Sequence, residues 1–201
     1  MGKSDGMSGK LQAQSVLIVS SSEKSGRVIS GLLDSPLCRP VSIVKSGSEV
    51  RRDMMSFDYD LVIINAPLSD EFGHELAMDL AQSTMTGVLL LVKSDVYEQV
   101  MDQVTGAGVL TIQKPIVPLV FGQAVCLAAA TRSRLKQFEK ENSRLKLKLE
   151  EIRVVDRAKY VLMEYLNMGE AQAHRYIEKQ AMDTRSTKKS VAESILKTYE
   201  S

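Results

Sequence analysis

Tryptophan is absent from this 201-residue chain, histidine and cysteine occur twice each, and aromatic residues make up only 5%. Each shortage removes a class of function. Cys38 and Cys126 lie far apart, with no CxxC pair and no neighbouring histidine, so they read as free thiols. A disulfide scaffold and a thiol oxidoreductase are thereby disfavoured. His74 and His174 offer almost no ligands for a zinc site, and neither metal nor cofactor is expected. No apolar run approaches the roughly 20 residues of a membrane-spanning helix, so no membrane partner is expected either. The polar, glycine-rich start MGKSDGMSGK has no apolar core of a secretory signal, which predicts a cytoplasmic location, and residues 1–14 read as a disordered lead-in.

What is present suffices for a folded chain: 44% hydrophobic and 25% charged residues. The net charge of +1 conceals an asymmetry. Residues 1–126 hold 10 Lys+Arg and 14 Asp+Glu, a net −4, whereas residues 127–201 hold 16 and 11, a net +5. A polyanion would meet the back of the chain.

Five short apolar runs punctuate the front: SVLIVS (15–20), VSIV (41–44), DLVIIN (60–65), VLLLV (88–92) and VLTIQ (109–113). Near-continuous Val, Ile and Leu suit parallel strands buried on both faces. Helical stretches separate them at Glu23–Leu33, about Ser48–Met55, Gly73–Gln82 and Val96–Thr105. This alternation predicts an α/β fold over residues 15–122, a doubly wound five-stranded parallel sheet of flavodoxin-like type.

From Ala124 the spacing changes to alternating threes and fours. Ala128, Leu135, Asn142 and Leu149 fall at heptad position a, and Thr131, Phe138, Leu145 and Ile152 at d. No glycine or proline interrupts residues 123–168. A single amphipathic helix packed on its own domain would satisfy this pattern, but the flanking charges favour a parallel dimer. Arg134 would face Glu139 of a second copy and Glu141 would face Lys146, while Lys148 against Arg153 repels. Asn142 is the kind of buried polar residue that selects register and two-strandedness. Residues 123–155 are accordingly expected to be a coiled-coil homodimerisation helix through Leu135, Phe138, Asn142, Leu145, Leu149 and Ile152.

Residues 156–201 read as three short helices. Asn167-Met168-Gly169 ends the first, whose apolar face is Ala158, Val161, Leu162 and Tyr165. Glu170–Asp183 forms the second, striped by Ala173, Ile177 and Ala181, and Ser186 or Thr187 caps a third carrying Val191, Ile195 and Leu196. Met163 and Met182 read as bundle filler and His174 as a surface or packing residue.

The five-strand pattern with Lys114-Pro115 after the last strand resembles the receiver domain of bacterial response regulators. In that family an acidic pair binds Mg²⁺, an aspartate accepts phosphate, and a hydroxyl and a lysine complete the site. The resemblance places Ser20 and Ser21 at the acidic pair, Asn65 at the phosphoacceptor and Val92 at the hydroxyl position; only Lys114 matches. Asn65 has no carboxylate to attack phosphorus, and two serines supply no anionic oxygen for a hard cation. The site therefore reads as degenerate, a pseudo-receiver. Asp60 opens its strand at the opposite end, and Asp70 and Glu71 read as a solvated loop. Dimerisation, a sensor protein or a small-molecule ligand remain as uses for such a domain.

RAKYVLM (157–163), EAQAHRYIEKQAMD (170–183) and KKSVAESIL (188–196), in that order, resemble the ANTAR module of bacterial transcription antitermination regulators. Tyr160 stands where the family commonly has glycine, and Arg185 where asparagine is frequent. The resemblance implies a non-enzymatic three-helix RNA-binding domain. It acts as a dimer, holding a leader transcript with paired hairpins and hexanucleotide loops so that a terminator cannot form. The candidate RNA-binding residues are Arg157, Lys159, Tyr160, Arg175, Lys179, Arg185, Lys188 and Lys189. Lysine and arginine would attract phosphate, arginine would also fork to or stack on splayed bases, and Tyr160 or Tyr176 would offer a stacking surface. Two other readings stay open: a DNA-binding response regulator, and a protein-interaction scaffold whose basic tail is ordinary surface. Enzymatic phosphotransfer ranks behind both.

Overall fold

The computed structural model describes residues 14–33 and 38–199; the lead-in expected over 1–14 lies outside the described residues except for Gln14. The β-branched runs form five parallel strands: β1 (Val16–Ser20), β2 (Val41–Val44), β3 (Leu61–Asn65), β4 (Gly87–Lys93) and β5 (Leu110–Lys114). Their order in the sheet is β2-β1-β3-β4-β5. The connecting helices are α1 (Glu23–Leu32), α2 (Gly47–Asp53), α3 (His74–Ser83) and α4 (Tyr97–Val104), the last flanked by two single 3₁₀ turns.

Side chains alternate across the sheet and so feed two apolar layers. Val16, Ile18, Leu61, Ile63, Leu89 and Leu91 pack against Ile29 of α1 and against Phe121, Val125 and Ala128. Leu17, Val19, Val62, Ile64, Val88, Leu90 and Val92 face Val50, Leu76, Leu80, Val100 and Val104 from α2, α3 and α4. Serines start two of these helices. Ser22 Oγ accepts the Ser25 amide at 3.4 Å, and Ser46 Oγ accepts the Glu49 amide at 3.2 Å. Gly73, ahead of α3, has φ 105°, and a Cβ there would lie 2.9 Å from Ile64 Cγ2. Only glycine combines that backbone with that closeness.

After β5 the chain enters α5, a helix of 49 residues from Pro118 to Leu166. Proline suits its first turn, where no intrahelical amide partner is lost. The helix passes unbroken through 122/123 and 155/156, the two positions at which the sequence pattern divides the chain. By contacts the chain separates into two compact units, one ending at Lys136 and the other starting at Gln137.

Within the first unit the start of α5 corrects the heptad reading. Ala128, expected at the first a position, is 3% exposed; its Cβ lies 3.3 Å from where a Cβ on Gly87 would stand. Ala124 also packs into this layer. Small side chains there let the helix approach β4, so that turn belongs to the core of its own domain and not to a seam.

In the second unit α5 ends at Asn167, whose φ of 52° breaks the helix, and α6 (Glu170–Asp183) and α7 (Lys188–Tyr199) follow. Thr187 caps α7, its Oγ1 accepting the Ser190 amide at 3.2 Å. Ala158, Val161, Leu162, Ala173, Ile177, Ala181, Val191, Ala192 and Ile195 form the core. Two expectations change. Met182 is 79% exposed, one step beyond the stripe that buries Ala181, so it fills no part of the bundle. Tyr165 is 58% exposed and leans on the ring of Tyr199 at a centroid distance of 5.4 Å instead of joining the apolar face.

Candidate functional site

The carboxyl edge of the sheet brings Ser20, Asn65 and Lys114 together. Strand register sets Ser20 beside Asn65, and Lys93 beside Lys114. Ser20 is fully buried; its hydroxyl donates to the Ser22 carbonyl at 3.0 Å and accepts from Asn65 Nδ2 at 3.0 Å. The Lys114 ammonium donates to Asn65 Oδ1 at 2.9 Å and to the Ala66 carbonyl at 2.5 Å. Burial pushes the Lys114 pKa down, and the charge of Lys93 pushes in the same direction. Ser21 donates instead to the Pro67 carbonyl at 3.2 Å.

Hydrogen bonds thus close this cluster on itself, and it contains no carboxylate. A divalent cation of the receiver type does not fit here. The oxygens that would hold it are neutral hydroxyls already in use, and two ammonium groups stand at the same edge. Val92, expected at the hydroxyl position, is fully buried in the layer facing α3 and α4. The strand runs one residue further, to Lys93, and the hydroxyl at this edge belongs to Ser94, which donates to the Lys114 carbonyl at 2.8 Å.

The acidic loop does more than meet solvent. Asp70 accepts the amides of Ser48 and Gly47 at 3.0 and 2.9 Å and the Ser48 hydroxyl at 2.8 Å, which holds its pKa down to about 2. Glu71 forms a forked pair with Arg51 at 2.6 and 3.2 Å. Asp70 fastens the loop after β3 to the start of α2, and Glu71 fastens it to the last turn. Asp60 sits at the other end of its strand, as its place in the sequence requires. It accepts from the amide and hydroxyl of Ser15 and pairs with Arg132 of α5.

Beyond Lys136, α5 presents Phe138, Leu145, Leu149 and Ile152 with 49–61% of their surface exposed; Leu135, at the end of the first unit, is 47% exposed. Asn142 lies exposed in the same row. A row of apolar side chains this open on one protomer is the kind of surface that a partner covers.

The candidate RNA-binding residues surround the buried core of the second unit. Arg157, Tyr160, Arg175, Lys179, Arg185 and Lys188 are exposed, whereas Lys159 and Lys189 are partly covered. Arg175, Lys179 and Arg185 take no ion pair among the described residues. Lys159 differs: it pairs with Asp156 at 2.8 Å and Glu170 at 3.3 Å, and the Asp156 hydrogen bond leads in raising its pKa. Lys188 pairs with Glu178 at 2.5 Å, and Lys189 lies 3.8 Å from Glu193. Glu178 also meets His174 at 3.3 Å. Such pairings were not readable beforehand, because they join separate helices or depend on rotamers. Arg185 has a φ of 50°, a backbone that asparagine tolerates better than arginine.

The ANTAR domain family matches residues 143–196. The transcriptional regulatory protein PdtaR of Mycobacterium tuberculosis, from strains CDC 1551 and H37Rv, is 30% identical over 143 residues, 69% of this chain and 68% of the relative. Among solved structures, the receiver domain of an HD-domain protein from Pseudomonas fluorescens Pf-5 aligns with a TM-score of 0.56 and 21% identity, over 63% of this chain and 93% of that one. An adenylate cyclase structure from Rhodopirellula baltica aligns with a TM-score of 0.59 and 14% identity, over 65% and 98%. These structural likenesses concern the fold alone. Among the described residues no helix is long and apolar enough to cross a membrane. A receiver-like sheet, the ANTAR match and a relative this similar over two thirds of both chains make one assignment: the chain belongs to the ANTAR-domain response regulators.

Proposed function

We propose that the chain is a cytoplasmic, non-enzymatic antitermination regulator that binds a leader transcript with paired hairpins as a homodimer. In this reading residues 15–122 serve as a pseudo-receiver that takes no phosphate, 123–155 as the dimerisation helix, and 156–201 as the RNA-binding module. The observation that carries it is the surface over the ANTAR core. Arg175, Lys179 and Arg185 stand exposed without ion pairs among the described residues, and Tyr160 has 69% of its surface open to solvent. Unpaired cations attract phosphate, and an open aromatic ring offers a face to a splayed base. Two modules yoked along the apolar row of α5 would hold two hairpins at once, which raises the effective concentration of the second for the first.

The front site supports the same reading by its chemistry. Asn65 supplies an amide where an attacking carboxylate would be needed, and its two polar atoms are already engaged by Ser20 and Lys114. Filter binding across a salt series tests the proposal. A two-hairpin RNA with hexanucleotide loops should bind well above a duplex DNA of equal length, and sedimentation should report a dimer at micromolar concentration. Equal affinity for the two nucleic acids would overturn the RNA assignment. An Arg175→Ala/Lys179→Ala variant that stays folded should lose affinity for the two-hairpin RNA; unchanged affinity would remove these two residues from the contact surface, and no affinity of the unaltered chain for that RNA would favour the scaffold reading.

A further inference from the structure

Beside the surface just described, the second unit carries a groove of about 640 Å³ on the outer side of α5, lined among others by Lys140, Arg144, Leu147, Lys148 and Lys189. Lys140, Arg144 and Lys148 follow one another at steps of four residues, so they form one row with about 6 Å of axis between neighbours. Lys189 and Thr187, from the start of α7, contribute the other wall, where that helix's dipole is positive. Four cations thus face one carboxylate, Glu151. Lys140 and Lys148 make no ion pair among the described residues, and Arg144 reaches only Glu141, at 3.4 Å between exposed groups.

Leu147 stands in the middle of this row with 68% of its surface exposed. It belongs neither to the ANTAR core nor to the a and d row, for with Asn142 at a it falls at f, on the far side of the helix. Lys140 is also at f, Arg144 at c and Lys148 at g. A dimer closed through a and d leaves Lys140, Arg144 and Leu147 open to solvent and sets Lys148 at the edge of its seam.

We propose that this groove takes an unpaired RNA strand adjoining the hairpins, its phosphates along Lys140, Arg144, Lys148 and Lys189 and one base against Leu147. The proposal rests on the RNA-binding function above and extends the contact surface upstream along α5. The charge calls for a polyanion. The exposed leucine within the row points to a strand whose bases are free, because a duplex turns its bases inward and offers phosphate alone.

Two labelled RNAs test it against the full chain: a paired-hairpin RNA carrying an unpaired extension, and the same hairpins without it. The variant Lys140→Gln/Arg144→Gln/Lys148→Gln keeps good helix formers on an exposed face, and circular dichroism with sedimentation verifies its fold and assembly. It should lose on the order of tenfold or more in affinity for the extended RNA, and its log affinity against log salt slope should fall by about 2. Its affinity for the bare hairpins should stay close to that of the unaltered chain. Leu147→Gln should weaken the extended RNA alone, with the salt slope unchanged.

If the triple variant binds both RNAs like the unaltered chain, the groove proposal is overturned while the RNA-binding function stands. An equal loss on both RNAs overturns the unpaired strand as occupant. Failure of the unaltered chain to prefer either RNA over duplex DNA removes both readings together.

Discussion

The Lys114 ammonium donates to the amide oxygen of Asn65 at 2.9 Å, and the amide nitrogen of Asn65 donates onward to Ser20 at 3.0 Å. A neutral side chain therefore stands at the carboxyl end of β3, and it satisfies the neighbours on both sides.

From that arrangement follows a pair of expectations. Treatment with acetyl phosphate and Mg²⁺ should add no phosphoryl mass to the protein or to Asn65→Asp, since Ser20 and Ser21 still lack anionic oxygens. Asn65→Leu should cost about 1–3 kcal/mol in urea unfolding, because it strands a half-buried ammonium and a buried hydroxyl. A mass gain on the unaltered chain would contradict the first, and unchanged stability the second.

Asp60→Ala removes the partner of Arg132 and the acceptor of the Ser15 amide and hydroxyl. The Asp60 and Arg132 side chains are 20% and 14% exposed, short of full burial, so a loss of about 2 kcal/mol is expected, below the range for fully buried pairs. Arg132→Met, which leaves no guanidinium to strand, should cost less. Chemical denaturation of the three proteins checks the order.

Asp70 sets an acid limit on the front domain. Its folded pKa lies at about 2, below the ordinary 3.8, because the Ser48 and Gly47 amides and the Ser48 hydroxyl favour the ionised form. A lowered acid stabilises the fold above its unfolded pKa and loses that contribution as pH falls through the folded one. Stability should therefore decline between pH 3.8 and about 2, and Asp70→Asn should flatten that part of the profile. Urea midpoints at several acidic pH values measure it, and parallel profiles for the two proteins would contradict the assignment.

Arg185 separates folding from binding. Left-handed backbone costs an ordinary side chain on the order of 1 kcal/mol, and asparagine bears it better. Arg185→Asn should hold or raise thermal stability by less than about 1 kcal/mol while weakening RNA binding. A variant equal to the parent in affinity would remove Arg185 from the contact surface.

The row on α5 gives the last test. Leu145→Glu/Leu149→Glu sets carboxylates at neighbouring d and a positions, and sedimentation should then find a monomer where the parent is a dimer. The three-helix core, which contains neither residue, should keep its helical signal. A dimer that persists would place the interface elsewhere.

Much of this molecule is legible before any coordinates exist. Val41–Val44 is a strand to the residue as read, and Glu170–Asp183 likewise a helix, because local apolar period and turn residues act over a few positions. That Ser20, Ser21 and Asn65 carry no carboxylate needs no structure either, since side-chain identity is read directly. Other features resisted for physical reasons. Ala128 obeys the heptad count, yet its small size serves a close approach to Gly87, which lies 41 positions away in sequence. Met182 and Tyr165 carry apolar side chains whose direction a helix of uncertain phase leaves open. Val92 misled because β4 runs to Lys93 and takes Val92 inside the sheet.

By itself the sequence determined the order of the parts: an α/β front, a helix with heptad spacing, and helical segments behind it that end at Asn167 and Asp183. Periodicity, capping and side-chain identity act along the chain, so they can be read along it. Only the tertiary structure decided which charges are committed across helices, such as Lys159 with Glu170 or Lys188 with Glu178, and which stand open, such as Lys140 and Lys148. Ion pairs depend on distances of a few ångströms between residues brought together by packing, and no pattern of spacing along α5 or α7 contains those distances.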